Sequence, residues 1–386
     1  MRIAINGLAA KKEGALTYLL NLLPKLVLID PNHEFYIFTD SNTANKLSAN
    51  LPDSARNSNF RIFDTLTNPI VRIIWENIQF NHYLLLDKID VLYCPVPPRP
   101  LVCSIPTAVA IRNMEPYCPG LWKKVSWFER IRFLYLRFSF GFSLHKATRI
   151  ILVAKETQKL LENKHIFNKS KISVIHHGRN LSFHPMDKQN ALTWLDEKYD
   201  ISEPFILYIS KTRPYKNHVE LIEALSILQK RWQHNEKLVI VGDKQEPYYS
   251  QVIEKVVELQ LAESVTFLGN IDYDLLPIFN NGARIAVFPS TCEACPNIVI
   301  ETLACGVPMA VSNIAVHQEI CEDAVLYFDP FNPESIAQSI HELLLDIPKQ
   351  NNLSNKALHQ AAKYSWEASA TNLLSVLERS VIENNI

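Results

Sequence analysis

The chain has 386 residues, 47% hydrophobic and 20% charged, with a formal net charge of −1. That length exceeds one ordinary core and points to about two domains, and the composition excludes a disordered chain. The balanced charge removes any global electrostatic case for nucleic acid, and no apolar run is long enough for a spanning helix.

From the N-terminus, strand-like runs at 2–6, 34–39, 59–64, 90–94, 106–111 and 148–153 alternate with helical patterns such as 14–29 and 70–86. The first residues, Met1-Arg2-Ile3-Ala4-Ile5-Asn6, read as a strand and not as a signal peptide. The second half repeats the alternation. Strands are predicted at 205–209, 237–241, 265–268, 284–288, 308–311 and 325–327, helices at 217–232 and 246–259, and a long helix at 366–383. Such alternation predicts parallel sheets covered on both faces, here two doubly wound α/β domains. His184-Pro185 interrupts the pattern near 181–187, which sets domains at 1–182 and 183–365 and leaves 366–386 as a C-terminal helix. Ligands of open α/β sheets sit outside the carboxyl ends of the strands, and the cleft between two such domains is the expected site.

Several loops at those strand ends carry chemistry. The segment from Asn6 to Ala15 holds Gly7 and Gly14, two of nine glycines, between the first strand and the first helix. Backbone there could approach a phosphate or sugar, or simply turn tightly. It is no Gly-x-Gly-x-x-Gly fingerprint, so a nicotinamide or flavin enzyme is unsupported. Lys211, Arg213 and Lys216 follow the strand at 205–209 and precede a helix, a place for an anion. Solvated surface is the plain alternative. In 288–308 a strand ends, a polar loop carries Glu293, and a helix starting near Pro296 carries Glu301 and stops at Gly306. Its first turn, at 294–298, offers backbone N–H groups to a phosphate or a sugar oxygen.

Other signals carry less. Asp272-Tyr273-Asp274 reads as a helix cap and not as a metal motif. Cys292-x-x-Cys295 has no second pair at metal spacing. The seven scattered cysteines read as reduced thiols in a cytosolic chain, those two in a pocket wall. His176-His177 is placed in an interdomain turn. The segment 121–150 interleaves Lys123, Lys124, Arg130, Arg132 and Arg137 with many aromatics against Glu129 alone. On one helix, Lys123, Arg130 and Arg137 would form a stripe suited to anionic headgroups or a lipid-linked acceptor. A helix that buries its aromatics and snorkels its cations is the alternative.

The stretch with Ser290, Glu293, Glu301 and Ala304-Cys305-Gly306-Val307-Pro308 resembles the donor-site signature of the retaining glycosyltransferases of family 4, also called group 1. The resemblance implies the GT-B fold, two Rossmann-like domains, and gives the residues roles. Glu301 would hold the donor ribose. Glu293 would sit beside the transferred sugar, with the backbone of Ala294, Cys295, Pro296 and Asn297 contacting its hydroxyls and Ile298 also in the donor site. The family's usual Gly-Phe-Gly after the first glutamate is here Ala294-Cys295-Pro296. Lys216 matches the family's lysine for the leaving diphosphate, beside Ser210, while Lys211 or Arg213 takes the place of its arginine. Lysine lacks the bidentate geometry of arginine, so that change is not neutral. On the acceptor side the loop with Gly14 and Ala15 corresponds to the family's glycine-rich loop. Arg112-Asn113 stands where many members have His-Asp. Trp75-Glu76 and Tyr364-Ser365-Trp366 extend the likeness along the chain, with the last helix packing back on the first domain.

The resemblance implies a hexosyltransferase that takes a GDP- or UDP-sugar, with mannose as the guess. A glycan or lipid-linked molecule would accept the sugar, in bacterial surface polysaccharide synthesis at the cytoplasmic side of the membrane. No metal and no cofactor are expected. An epimerase on the same fold, or a silent nucleotide-sugar-binding or scaffold subunit, is the alternative.

Overall fold

The structure, a computed structural model, describes residues 1–11, 13–55, 58–118, 120–165 and 167–384. They form two compact units. One holds residues up to Pro116, Trp127–Gly178 and the chain from Ser365 onward; the other holds Tyr117–Ser126 and Arg179–Tyr364. The division therefore falls after Gly178, and residues 117–126 join the second unit although they lie in the first half of the sequence.

The first unit is built on seven parallel strands: β1 (Arg2–Asn6), β2 (Glu34–Thr39), β3 (Asn59–Ile62), β4 (Val91–Cys94), β5 (Thr107–Ile111), β6 (Arg149–Leu152) and β7 (Ile172–Val174). Their order is β3-β2-β1-β4-β5-β6-β7. Every residue of β4 and β5 is buried, as a parallel sheet covered on both faces requires. β7 was not anticipated; three residues are too few for periodicity to mark a strand. Helices Glu13–Ile29 and Trp366–Asn384 share one core, where Leu19, Leu22, Trp366 and Leu373 meet Ile3, Ile5 and Val91. Burial of side chains of this size stabilises by about 1.5–3 kcal/mol each. His177, one residue before the division after Gly178, is buried, its ring 5.4 Å from that of Trp366.

Two helical patterns divide. The run at 70–86 becomes Pro69–Ile78 and Phe80–Leu86. Asn68 caps the first, accepting from the Ile70 N–H at 2.8 Å, and proline occupies its first turn. The basic segment becomes Leu121–Lys124 and Trp127–Lys146, with Val125 extended between them. Lys123 is thus on a different helix from Arg130 and Arg137, and the expected stripe of cations does not form.

The second unit holds six parallel strands: β8 (Ile206–Ile209), β9 (Leu238–Val241), β10 (Val265–Gly269), β11 (Ile285–Phe288), β12 (Met309–Ser312) and β13 (Leu326–Phe328). Their order is β10-β9-β8-β11-β12-β13, so the winding reverses between β8 and β11. Gly242, after β9, has φ 145°, and a Cβ there would stand 2.2 Å from the Ser210 carbonyl oxygen. Only glycine lets the loops after β8 and β9 come this close.

Candidate functional site

At the reversal between β8 and β11 lies a cavity of about 290 Å³. Loops that leave these two strands diverge to opposite faces of the sheet, which opens a crevice at their carboxyl ends. Ser210, Lys211 and Lys216 line it from the β8 side. Ser290, Glu293 and Cys295 line it from the β11 side, with Pro296, Asn297 and Ile298 at the start of helix Asn297–Ala304. The loops are stitched together by hydrogen bonds. Thr291 N–H donates to the Tyr215 carbonyl at 2.8 Å, and the Tyr208 hydroxyl donates to the Lys216 carbonyl at 2.6 Å.

Lys216 Nζ lies 2.5 Å from Glu293 Oε1, and the two side chains are only 16% and 14% exposed. Water screens such a pair less than a surface pair, so it holds the cation and the carboxylate firmly in the wall. The sequence placed these residues in one site; their direct contact is new. Of the two cations left to share one role, Lys211 reaches the cavity wall, and Arg213 is not among its lining residues. Ala294 is buried and also absent from the lining. The Asn297 N–H donates to the Cys295 carbonyl at 3.0 Å, so that group of the helix start already has an internal partner.

Glu301 does not line this cavity. It is buried in helix Asn297–Ala304, and the Tyr273 hydroxyl donates to its Oε1. Desolvation pushes its pKa up to about 8, against the hydrogen bond from Tyr273, so the carboxyl is largely protonated near neutral pH. Tyr273 belongs to the Asp272-Tyr273-Asp274 run. The cap predicted there is not made by a side chain: Asp272 precedes a short 3₁₀ turn and makes no capping hydrogen bond through its carboxylate.

The cysteines require a correction. Cys118 and Cys292 form a disulfide within the second unit, so Cys292 is not a free wall thiol and the chain is not wholly reduced. Segment 117–126 docks on this unit, with Lys124 Nζ 3.3 Å from Glu220 Oε1, and carries Cys118 to Cys292. No local pattern marks partners 174 residues apart. Cys295 remains a thiol of the cavity wall. Burial pushes the Cys305 thiol up to about 12, which keeps it unreactive.

In the first unit, Gly14 and Arg112 come together. The Arg112 guanidinium stacks over the Tyr18 ring at 4.0 Å and donates to the carbonyls of Pro95 at 3.0 Å and Gly14 at 3.4 Å. Ala15 follows in the same helix. The Asn113 side chain accepts from the Glu115 N–H at 2.8 Å, a local turn contact. Glu76 is buried at the end of β1, accepting from Asn6 Nδ2 at 3.0 Å, and burial raises its pKa. Lys12, in the same loop, lies outside the described residues. Among the described residues, no group of three His, Cys, Asp or Glu side chains is placed to hold a metal ion, and no helix is long and apolar enough to cross a membrane.

One wall residue carries no signal in the sequence. His317, from helix Ala315–Cys321, lines the cavity and is fully buried. A single histidine in an apolar stretch cannot be told from an ordinary core histidine without the fold.

Residues 196–360 match the sequence model of the glycosyl transferases group 1. An uncharacterized glycosyltransferase of Methanocaldococcus jannaschii is 28% identical over 75% of this chain and 75% of its own length. The O-antigen chain mannosyltransferase B of Escherichia coli is 26% identical over 67% of this chain and 66% of its own length. Among solved structures, a sucrose-phosphate synthase of Thermosynechococcus elongatus superposes with a TM-score of 0.79 at 18% identity, covering 98% of both chains. Anabaena HepE, solved with UDP and glucose, superposes at 0.74 and 16% identity, covering 98% of this chain and 99% of its own. Those structural likenesses establish the fold, which is GT-B.

Proposed function

We propose that this chain, a group 1 glycosyltransferase by its residues 196–360, transfers a hexosyl residue from a nucleotide-sugar to a glycan or lipid-linked acceptor. Retention of the anomeric configuration and independence of metal are part of the proposal. The carrying observation is the Lys216–Glu293 pair in the wall of the cavity between β8 and β11. Charge builds on the departing diphosphate as the sugar leaves, and fixed cations at that point lower the barrier. Lys216 and Lys211 supply them. A diphosphate arriving at Lys216 competes with Glu293 for the ammonium, which frees the carboxylate for the sugar hydroxyls. Glu301 takes the ribose, exchanging the Tyr273 hydroxyl for a ribose hydroxyl. In the first unit, Gly14, Ala15, Arg112 and Asn113 face the acceptor.

Several relatives are named mannosyltransferases, two of them for O-antigen chains, which supports mannose as the sugar and a bacterial surface polysaccharide as the product. Work at the inner face of the plasma membrane belongs to the same reading. An exposed apolar face of the first unit supports it: Ile70, Ile74 and Ile78 from one helix and Trp127, Ile131 and Phe138 from another are each more than half exposed.

The test is nucleotide release from GDP-mannose and from UDP-glucose, with and without extracts of lipid-linked saccharide. Release that rises with acceptor, and a product that keeps the donor's anomeric configuration by NMR, are expected. Lys216→Ala should cut turnover at least tenfold, about 1.4 kcal/mol of transition-state stabilisation. Interconversion of free nucleotide-sugars without acceptor would replace the reading with an epimerase; no release from any donor would leave a silent binding subunit.

A further inference from the structure

The cavity wall contains a buried hydrogen-bonding atom to which the donor reading gives no role. The His317 ring is fully buried, lines the cavity, and feels the charges of both Glu293 and Lys216. Its Nδ1 lies 3.0 Å from the Ser312 carbonyl oxygen and 2.9 Å from the Ser312 hydroxyl. A carbonyl only accepts, so Nδ1 carries the proton. The Ser312 hydroxyl donates its own hydrogen to the Ser290 carbonyl at 2.5 Å, which leaves its oxygen to accept from the same Nδ1–H. Both contacts set one tautomer. Desolvation lowers the pKa of the ring to about 4, so it is neutral at physiological pH. Nε2 is then a bare lone pair, and no donor among the described residues reaches it.

A buried acceptor of this kind is costly unless something donates to it. The group that completes it must bring an O–H or N–H. A diphosphate, ionised near neutral pH, offers only acceptors. A sugar offers several hydroxyls, and the Glu293 carboxylate in the same wall also calls for donors. We infer that His317 Nε2 accepts a hydrogen bond from a hydroxyl of the transferred sugar, which makes His317 a specificity-determining residue of the donor site. The inference rests on the donor reading of this cavity. Ser312 acts through it as a positioning residue: it holds the imidazole in the tautomer that presents a lone pair.

Two substitutions separate the functions of the ring. His317→Asn keeps an amide N–H where Nδ1 stands, preserving the Ser312 contact, and removes the acceptor. His317→Gln places an amide oxygen near the position of Nε2. Calorimetry would compare wild type and both variants against GDP-mannose and GDP, and against UDP-glucose and UDP. For the nucleotide-sugar that wild type binds, His317→Asn should weaken affinity about three- to tenfold, the range of one neutral hydrogen bond. Affinity for the matching free nucleotide should stay unchanged, and His317→Gln should recover most of the loss. Equal weakening for sugar-free nucleotide, or none for the nucleotide-sugar, would overturn the inference and leave the glycosyltransfer reading standing. A wild type that binds neither nucleotide-sugar would remove both.

Discussion

The chemistry of this protein depends on which single atoms are charged. Glu301 shows this most directly. Its folded pKa, about 8, stands above the ordinary carboxyl value of 4.5, with desolvation as the dominant cause. A raised carboxyl pKa gives stability that is full below the unfolded value and is lost as pH rises through the folded one. The unliganded protein should therefore lose stability between about pH 4.5 and 8 on account of this group. Glu301→Gln, which can still accept from Tyr273, should abolish that component. Its melting temperature relative to wild type should climb by several degrees between pH 5.5 and 8.5, given roughly 2–4 °C per kcal/mol for domains of 150–250 residues. A difference that stays flat with pH would show that Glu301 is not held neutral. Glu293 was as visible in the sequence as Glu301, yet the two differ sharply in setting: one meets a lysine, the other a tyrosine hydroxyl. The identity and spacing of two glutamates carry no information on that difference.

Among the elements, helix Trp127–Lys146 departs most from its sequence reading. Arg132 turns to Glu115 at 2.5 Å, and Arg137 donates to the Pro116 carbonyl at 2.8 and 3.0 Å. Trp127, Ile131, Leu134 and Phe138 are exposed at helical spacing, with exposed Arg130 among them. Helix Pro69–Ile78 presents Ile70, Ile74 and Ile78, and the Leu101 N–H donates to Asn77 of that helix at 2.5 Å, bringing exposed Leu101 and Val102 to it. Exposed apolar side chains at this spacing suit an interaction surface, and a bilayer is the partner proposed above. On the membrane reading proposed above, attraction would come from insertion of apolar side chains more than from a basic stripe. Wild type should cosediment with phosphatidylglycerol vesicles, and Ile131→Glu with Phe138→Glu should reduce the bound fraction at least fivefold while nucleotide binding persists. No wild-type binding at low salt, or concentration-dependent dimers by light scattering that the same pair of changes abolishes, would assign the face elsewhere.

For the whole molecule, the chain's path between units matters more than any one element. Residues 117–126 leave the first unit, join the second through the Cys118–Cys292 link and the Lys124–Glu220 pair, and return at Trp127. A link across 174 residues restricts the unfolded chain by about 5 kcal/mol on the chain-entropy account. Reductant should therefore lower the melting temperature by several degrees, and Cys118→Ser should melt like the reduced wild type. Coincident melts with and without reductant, together with a free Cys118 thiol by peptide mapping, would show that the link does not form in solution.

The alternation of apolar strands and amphipathic helices, and with it two doubly wound sheets, was determined by the sequence alone. Strand and helix periods arise from backbone geometry over a few residues, so β8 to β13 lie within a residue or two of their predicted places. The strand–loop–helix at 288–308 was legible for the same reason, down to its stop at Gly306, whose φ of 69° suits glycine. Tertiary structure alone decided the partners. Lys216 and Glu293 are 77 residues apart, and Cys118 and Cys292 are 174 apart. Strand order and the burial it imposes set such meetings, as well as the His317 tautomer and the neutral Glu301, because desolvation and hydrogen bonding depend on what surrounds a group in space and not on its neighbours along the chain.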